Sequence, residues 1–356
     1  MASYSVDADE CVGGGSWGEV FKHWCSTTGS LIAVKRMKRQ TTGNPERHLQ
    51  LLQSEIAALQ AVSGHPHVTT FMNWWADDQH VYVAMQLAEG GDLFGTLAKC
   101  KKLRRPLHLD CVKVVLRHVL SALQHVHHLG YVHCDVKLEN LLLKAPVDPT
   151  TGEAASDVDV LLSDFGFARH VDDVASASNV CGTWAYLAPE CLSGGHCGFP
   201  RDVWAVGVVA YELLTLRRPF FGDHSKQLIQ DFKKYDLKRN AVLQRVTERC
   251  PVASDFVARL LAPDPSQRLT AVEALEHPFL AVDSSPSPAP QPIHIDPCAS
   301  GVDELPAAPA VAAATNAKVP LRQDKELPFP IATQPQSQVE QEQRVVLDLL
   351  TLTHTE

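Results

Sequence analysis

The hydrophobic period changes once along this chain, near residue 107. Before that point the apolar residues fall in short strand-like runs, at 12–20 around a glycine cluster, at 31–35 and at 81–87. One helical stretch, 49–62, interrupts them. After it, Val112, Val115, Leu116, Val119, Leu120, Leu123 and Val126 recur at three- and four-residue spacing. That spacing predicts a long helix ending near Gly130. Runs at 141–143 and 158–162 read as a hairpin around a polar, turn-rich insertion at 144–157, and further helices are predicted at 201–216, 225–234, 252–262 and 270–276. Strands first and helices later predict an α+β chain with a small sheet-rich lobe and a larger helical lobe. No internal repeat is visible.

Composition breaks near residue 281. Beyond it the sequence is rich in Pro, Ala and Gln, and it carries −6 of the chain's net charge of −9. Such a stretch cannot bury enough apolar surface to fold alone, so 282–356 is predicted to be a disordered tail. Its apolar segment at 345–352 reads either as a helix docking onto the domain or a partner, or as an isolated patch in a frayed terminus. The folded part is then 4–281. No Lys/Arg block dominates, which argues against nucleic acid as a partner. The apolar window 203–214 is interrupted by Glu212 and is shorter than the ~20 residues a bilayer needs. No signal pattern opens the chain. Ten Cys without a C-x-x-C pair read as reduced thiols, so an intracellular location, cytoplasmic or nuclear or both, is expected.

Chemistry concentrates in an ordered series of short motifs. Gly13-Gly14-Gly15-Ser16-Trp17-Gly18-Glu19-Val20 is G-x-G-x-x-G-x-V, whose glycines let backbone N–H groups approach phosphate oxygens. Lacking a following Gly-Lys-Ser/Thr and lying between strands, it is neither a Walker loop nor a dinucleotide fingerprint. Lys35 ends an apolar strand, and Glu55 lies on the 49–62 helix, where it could face Lys35. His133-Cys134-Asp135-Val136-Lys137-Leu138-Glu139-Asn140 follows the long helix, and Asp164-Phe165-Gly166 follows a strand. Two acids, an amide and a lysine brought together can bind Mg²⁺ and orient a hydroxyl. Next come the runs from Cys181 to Glu190, from Asp202 to Gly207 and from Asp264 to Arg268.

Taken in this order, the motifs resemble the eukaryotic-type protein kinases over roughly residues 4–281. Lys137 and G-T-x-x-Y-L-A-P-E resemble the Ser/Thr rather than the Tyr kinases. D-V-K-L-E-N-L-L-L and D-F-G-F-A look most like the calcium/calmodulin-dependent and related basophilic groups. The resemblance implies a bilobal α+β fold, ATP and Mg²⁺ as cofactors, and protein substrates.

Position by position, the resemblance implies that the loop from Val12 through Gly13, Gly14, Gly15, Ser16, Trp17 and Gly18 covers ATP. Val20, Ala33 and Leu142 would enclose the adenine, with Met85 as gatekeeper and Gln86 to Ala88 as the hinge. Lys35, paired with Glu55, would hold the α- and β-phosphates. Asp164 and Asn140 would bind the metal ions. Asp135 would orient the substrate hydroxyl and accept its proton, and Lys137 would neutralise the transferred phosphoryl group. Leu59, Phe71, His133 and Phe165 would form the stack that aligns the lobes, and Glu190 and Arg268 a buried ion pair. Asp92, Glu139 and Glu212 fall where basophilic relatives bind arginine upstream of the target. Thr183, Val180, Trp184 and Leu187 fall around the target and the residue after it.

The intact set favours an active kinase over a pseudokinase, which usually lacks at least one of these groups. The intact 181–190 segment disfavours a small-molecule kinase. Cys134 stands where many relatives carry an Arg that needs a phosphate on the activation loop. Asn179 stands at a common phosphosite and Leu51 where a helix His can join the phosphate pocket, leaving Arg169 of that basic cluster, although Ser176 and Ser178 are nearby. Activity without loop phosphorylation is therefore expected. His118, His125, His127 and His128 crowd the long helix. With no carboxylate or Cys partner in view, they read as ordinary histidines rather than a metal site. The basic residues Lys99, Lys101, Lys102, Arg104 and Arg105 read as a solvated loop.

Overall fold

The computed structural model describes residues 10–15, 18–25, 28–39, 45–151, 153–172, 181–192, 198–222, 224–234, 246, 248 and 250–281. Ser16, Trp17, residues 173–180 (Val180 included) and the tail from 282 lie outside the described residues.

The first lobe is a five-stranded antiparallel sheet with spatial order β1-β2-β3-β5-β4. The strands are β1 Glu10–Gly15, β2 Gly18–Cys25, β3 Ser30–Lys38, β4 Phe71–Ala76 and β5 His80–Gln86. Strand alternation divides β3 between two faces. Ile32 and Val34 join Phe21, Cys25, Tyr82 and Ala84 in one buried cluster. Met37 packs instead with Leu52, Ile56 and Leu59 of helix α1, Pro45–Val62. Lys35 shares the face of Met37, so this alternation aims it at α1.

The second lobe is built around two helices. In α3, Leu109–His128, all seven residues of the predicted apolar stripe are buried. In α5, Pro200–Thr215, every residue from Arg201 to Thr215 is buried. A helix apolar on all sides belongs in a core, and that accounts for the run at 203–214. No helix among the described residues is long and apolar enough to cross a membrane. Gly207 lets α5 approach α7, Pro251–Leu260, closely: a Cβ there would lie 2.7 Å from Leu261 Cδ2. The other α-helices among the described residues are α2 Leu93–Leu103, α4 Pro189–Leu192, α6 Ser225–Lys234 and α8 Ala271–Leu275. Thr270 and Glu273 close a reciprocal capping box at the start of α8. Two small sheets complete the lobe. β6 Tyr131–Val132 pairs with β9 Arg169–His170, and β7 Leu141–Leu143 with β8 Val160–Leu162.

Two elements depart from the sequence reading. β4 was not foreseen, because FMNWWA is half-buried almost throughout and shows no alternation. The residues read as a solvated basic loop are largely helical: Lys99, Lys101 and Lys102 lie in α2, and Arg104 is its left-handed C-cap at φ 53°. The buried stripe of α2 is Leu93, Thr96, Leu97 and Cys100. Its spacing is helical, but Thr and Cys disguise it, and Gly95 lowers helix propensity.

Candidate active site

Lys35 stands mid-sheet, in register with Val20 on β2 and Val83 on β5. Its Nζ lies 2.5 Å from Glu55 Oε1 and 2.9 Å from Asp164 Oδ1. Burial would push the ammonium down, but Glu55 and Asp164 together outweigh it and raise the Lys35 pKa. Burial also opposes the charge on Asp164, yet Lys35 holds that carboxyl below its usual value. The site thus keeps a fixed cation beside a carboxylate.

The loop after β6 carries the second group. Asp202, 1% exposed on α5, accepts the backbone N–H of His133 at 2.8 Å and of Cys134 at 2.9 Å. His127 Nε2 lies 2.9 Å from the same carboxylate. Burial works against this carboxyl, but the surrounding donors keep its pKa low. These bonds hold Cys134 in the left-handed region at φ 68°, a conformation that a non-glycine residue keeps only when its surroundings enforce it. His133 packs edge-on against Phe165, with ring centroids 4.7 Å apart. Leu59 and Phe165 belong to the main core cluster, and Phe71 packs against it.

Asp135 is thereby presented with both oxygens engaged. The backbone N–H and hydroxyl of Thr183 donate to Oδ1, each at 2.9 Å. Lys137 Nζ lies 2.8 Å from Oδ2 and donates to Thr183 Oγ1 at 3.0 Å. Asn140 Nδ2 donates to the Asp135 carbonyl at 2.8 Å and to Oδ2 at 3.2 Å. The approach of Thr183 depends on Gly182 at φ 98°, where a Cβ would fall 2.4 Å from the Cys134 carbonyl oxygen. Asp135, Lys137, Asn140 and Thr183 form one network, and Glu55, Lys35 and Asp164 form a second.

Ala33 pairs with Met85 across β3 and β5, while Val20, Leu142, Gln86 and Ala88 are half-buried and Val12 is exposed. Leu187 is buried in the core, and Trp184 is 37% exposed. Among the three acids expected to read arginine, Asp92 caps α2, its Oδ1 accepting from Gly95 N at 2.6 Å. Glu212 is 1% exposed and already occupied: the Tyr186 hydroxyl donates to Oε2 at 2.7 Å and Arg218 Nε to Oε1 at 3.1 Å. Glu139 keeps a buried Oε2 with no hydrogen-bond partner. The sequence reading missed Asp202 as the anchor of the Asp135 loop, although its motif was in view. It also missed Arg218, which the left-handed turn at Leu216 folds back onto Glu212.

The expected buried pair is formed in full. Arg268 Nη1 and Nη2 donate to the two Glu190 oxygens at 2.7 and 3.1 Å. The guanidinium lies 5.1 Å from the Trp204 ring centroid and also donates to the carbonyls of Pro200 and Ala262.

The chain matches the protein kinase domain family over residues 6–280. It is similar to the calcium/calmodulin-dependent protein kinase cmkA of Emericella nidulans, 32% identical over 277 residues, covering 77% of this chain and 62% of that protein. It is likewise similar to the calcium/calmodulin-dependent protein kinase type I of Schizosaccharomyces pombe, 31% identical over 274 residues, covering 76% of each. The chain belongs to the protein kinase family, as a eukaryotic-type serine/threonine kinase resembling the calcium/calmodulin-dependent group.

Proposed function

We propose that this chain transfers the γ-phosphoryl group of Mg-ATP to Ser or Thr of protein substrates with a basic residue upstream of the target. The observation that carries this reading is the presence of two bonded groups, Glu55–Lys35–Asp164 and Asp135–Lys137–Asn140–Thr183. Carboxylate and amide oxygens of Asp164 and Asn140 are the hard donors that Mg²⁺ takes. Asn140 turns its Nδ2 toward Asp135, which leaves its amide oxygen for a cation. A bound metal would supply charge neutralisation on the phosphates. Lys35 would hold the phosphates, Asp135 would orient the hydroxyl and accept its proton, and Lys137 would offset charge on the transferred group. Such parts act by positioning and electrostatics, which suits phosphoryl transfer. A radiolabelled ATP assay on a positional-scanning peptide library tests activity and substrate motif together.

That library also tests the basic preference. Glu212 is paired with Arg218 and Asp92 Oδ1 caps α2, while Glu139 Oε2 has no hydrogen-bond partner. A charge-assisted contact there is worth about 1–2 kcal/mol. One upstream Arg→Ala change in the peptide is expected to cost roughly tenfold in kcat/KM, and Glu139→Gln should reduce that discrimination below about threefold. Selection of acidic residues upstream, or of Pro directly after the target, would refute the preference.

The chain is further proposed to act without activation-loop phosphorylation. Cys134 is buried in an apolar group with Val132, Phe167, Val171, Cys181 and Phe199. Arg169 Nη1 donates to the carbonyls of Gly166 and Ala168. Arg201 Nη2 donates to those of Cys134 and Cys181. Both cations thus have backbone partners without a phosphate. Phosphatase-stripped protein, with stripping confirmed by mass, should keep its activity within a few-fold. A loss beyond about tenfold, ~1.4 kcal/mol of barrier, would show that a phosphate organises the loop.

A further inference from the structure

Where the loop before β4 meets α3 and β8, three side chains from separate segments converge. They are His67 from the loop, His118 from α3 and Asp159 from the residue preceding β8. The His67 and His118 rings stack with centroids 3.7 Å apart and an interplanar angle of 14°, so one ring must turn out of the stack for both in-plane lone pairs to reach one ion. Asp159 Oδ1 lies 3.2 Å from His67 Nδ1 and 3.9 Å from His118 Nδ1. One ligand atom from each of the three lies within 4.8 Å of the other two. A tetrahedron with metal bonds near 2.0–2.1 Å has an edge of about 3.4 Å, so the two measured nitrogen–oxygen distances bracket what a single ion requires. The ion would also supply the missing partner of Asp159 Oδ1, which is buried and accepts no hydrogen bond. Its Oδ2 is held by Lys144 Nζ at 2.6 Å, an outer contact of the kind that orients a ligating carboxylate.

The surroundings are consistent with a ligand set of these three. The side chains of His67, His118 and Asp159 are 18%, 22% and 40% exposed, enough for an ion to enter and to keep a water. The backbone around them is already fixed: the Leu162 N–H donates to the His67 carbonyl at 2.8 Å, and Thr69 N–H to the Leu162 carbonyl at 3.0 Å. The Val160 N–H reaches His118 Nδ1 at 3.4 Å, a long bond that a metal could replace. His67 Nδ1 also lies 3.2 Å from the Val160 carbonyl, a contact the ion would have to displace. Of the neighbouring histidines, His65 Nε2 lies 3.2 Å from Ser121 Oγ and His125 Nε2 3.0 Å from the Val62 carbonyl.

We propose that His67, His118 and Asp159 form a binding site for a divalent cation of the zinc class, with two imidazoles, one carboxylate and a solvent-filled fourth position. Two nitrogens and one oxygen suit Zn²⁺ and not Mg²⁺ or Ca²⁺, which take oxygen sets. The ion would tie the loop between α1 and β4 to α3 and β8, and so brace the helix that carries Glu55.

The full chain, purified through chelator and dialysed, is titrated with ZnCl₂ by calorimetry and melted with and without the metal. One saturable equivalent is expected. At Zn²⁺ a hundredfold above Kd, Tm should rise by roughly 5 °C or more. Asp159→Asn and His118→Gln, each checked to melt like the wild type without metal, should weaken binding at least tenfold, and His65→Gln should leave it unchanged. Co²⁺ in place of Zn²⁺ should give the visible bands of a tetrahedral N/O site. A strong thiolate-to-cobalt charge-transfer band would place the metal on cysteine and overturn the proposal. So would an absence of saturable binding, or binding that neither Asp159→Asn nor His118→Gln alters.

Discussion

Replacing Asp135 by Asn is expected to lower kcat by at least about 10²-fold while the domain stays folded, a loss of about 2.7 kcal/mol of transition-state stabilisation. The Asp135 carboxylate sits among donors only: Thr183 N–H and hydroxyl, Lys137 Nζ and Asn140 Nδ2. An amide keeps the shape but cannot accept a substrate proton, and it turns an NH₂ toward at least one of those donors. Some stability is therefore lost as well, on the order of 1–3 kcal/mol, which a thermal melt measures separately. Lys35→Met should produce a kcat loss of similar size by a different route. It removes the cation between Glu55 and Asp164, so the KM for ATP should rise with it, whereas Asp135→Asn should leave that KM nearly unchanged. Both are measured by steady-state assay on the best library peptide. Turnover of Asp135→Asn at the wild-type rate would overturn its assignment as the base.

Arg268→Ala is expected to be among the most destabilising single changes in the chain, at about 3–5 kcal/mol. Arg268 is buried, and its side chain donates to both Glu190 oxygens and to two carbonyls. Deleting it takes the guanidinium away from the Glu190 carboxylate in the core and opens a cavity against Trp204. A domain of ordinary stability, about 5–15 kcal/mol, would lose a large part of its margin, and Tm should fall by roughly 10 °C. The origin of the loss can be separated. If the charge left on Glu190 dominates, adding Glu190→Gln to Arg268→Ala should restore at least about 1 kcal/mol. If the cavity dominates, the double variant will be no better than the single. Urea melts of both variants decide between them. An Arg268→Ala loss below about 1 kcal/mol would mean that the pair contributes little.

Much of this protein was legible in order along the chain. The motif series from Gly13 to Arg268 implied the kinase family, its two lobes and the identity of the groups around Lys35, Asp135 and Asp164. The stripe of α3 followed from periodicity, because it depends on neighbours a few residues away, and the hairpin of β7 and β8 from two short apolar runs flanking a polar insertion. Elements without such a local signature were not legible: β4 lacks alternation, and α2 hides its stripe behind Thr96, Cys100 and a run of lysines.

The sequence by itself determined the fold family and the chemistry of the Lys35–Asp135–Asp164 cleft, since those residues announce themselves by type and spacing. Tertiary structure alone decided which polar groups meet across large separations. Asp202 anchors a loop 68 and 69 residues earlier. Arg218 folds back onto Glu212 because the chain turns through a left-handed residue at Leu216. His118, read from its own helix as an ordinary histidine, gains a carboxylate and a second imidazole from Asp159 and His67, on segments that only packing brings together. A pattern along one element reports which face is buried, whereas a charge or a lone pair is satisfied by whatever the fold sets opposite it, and no local spacing encodes that partner.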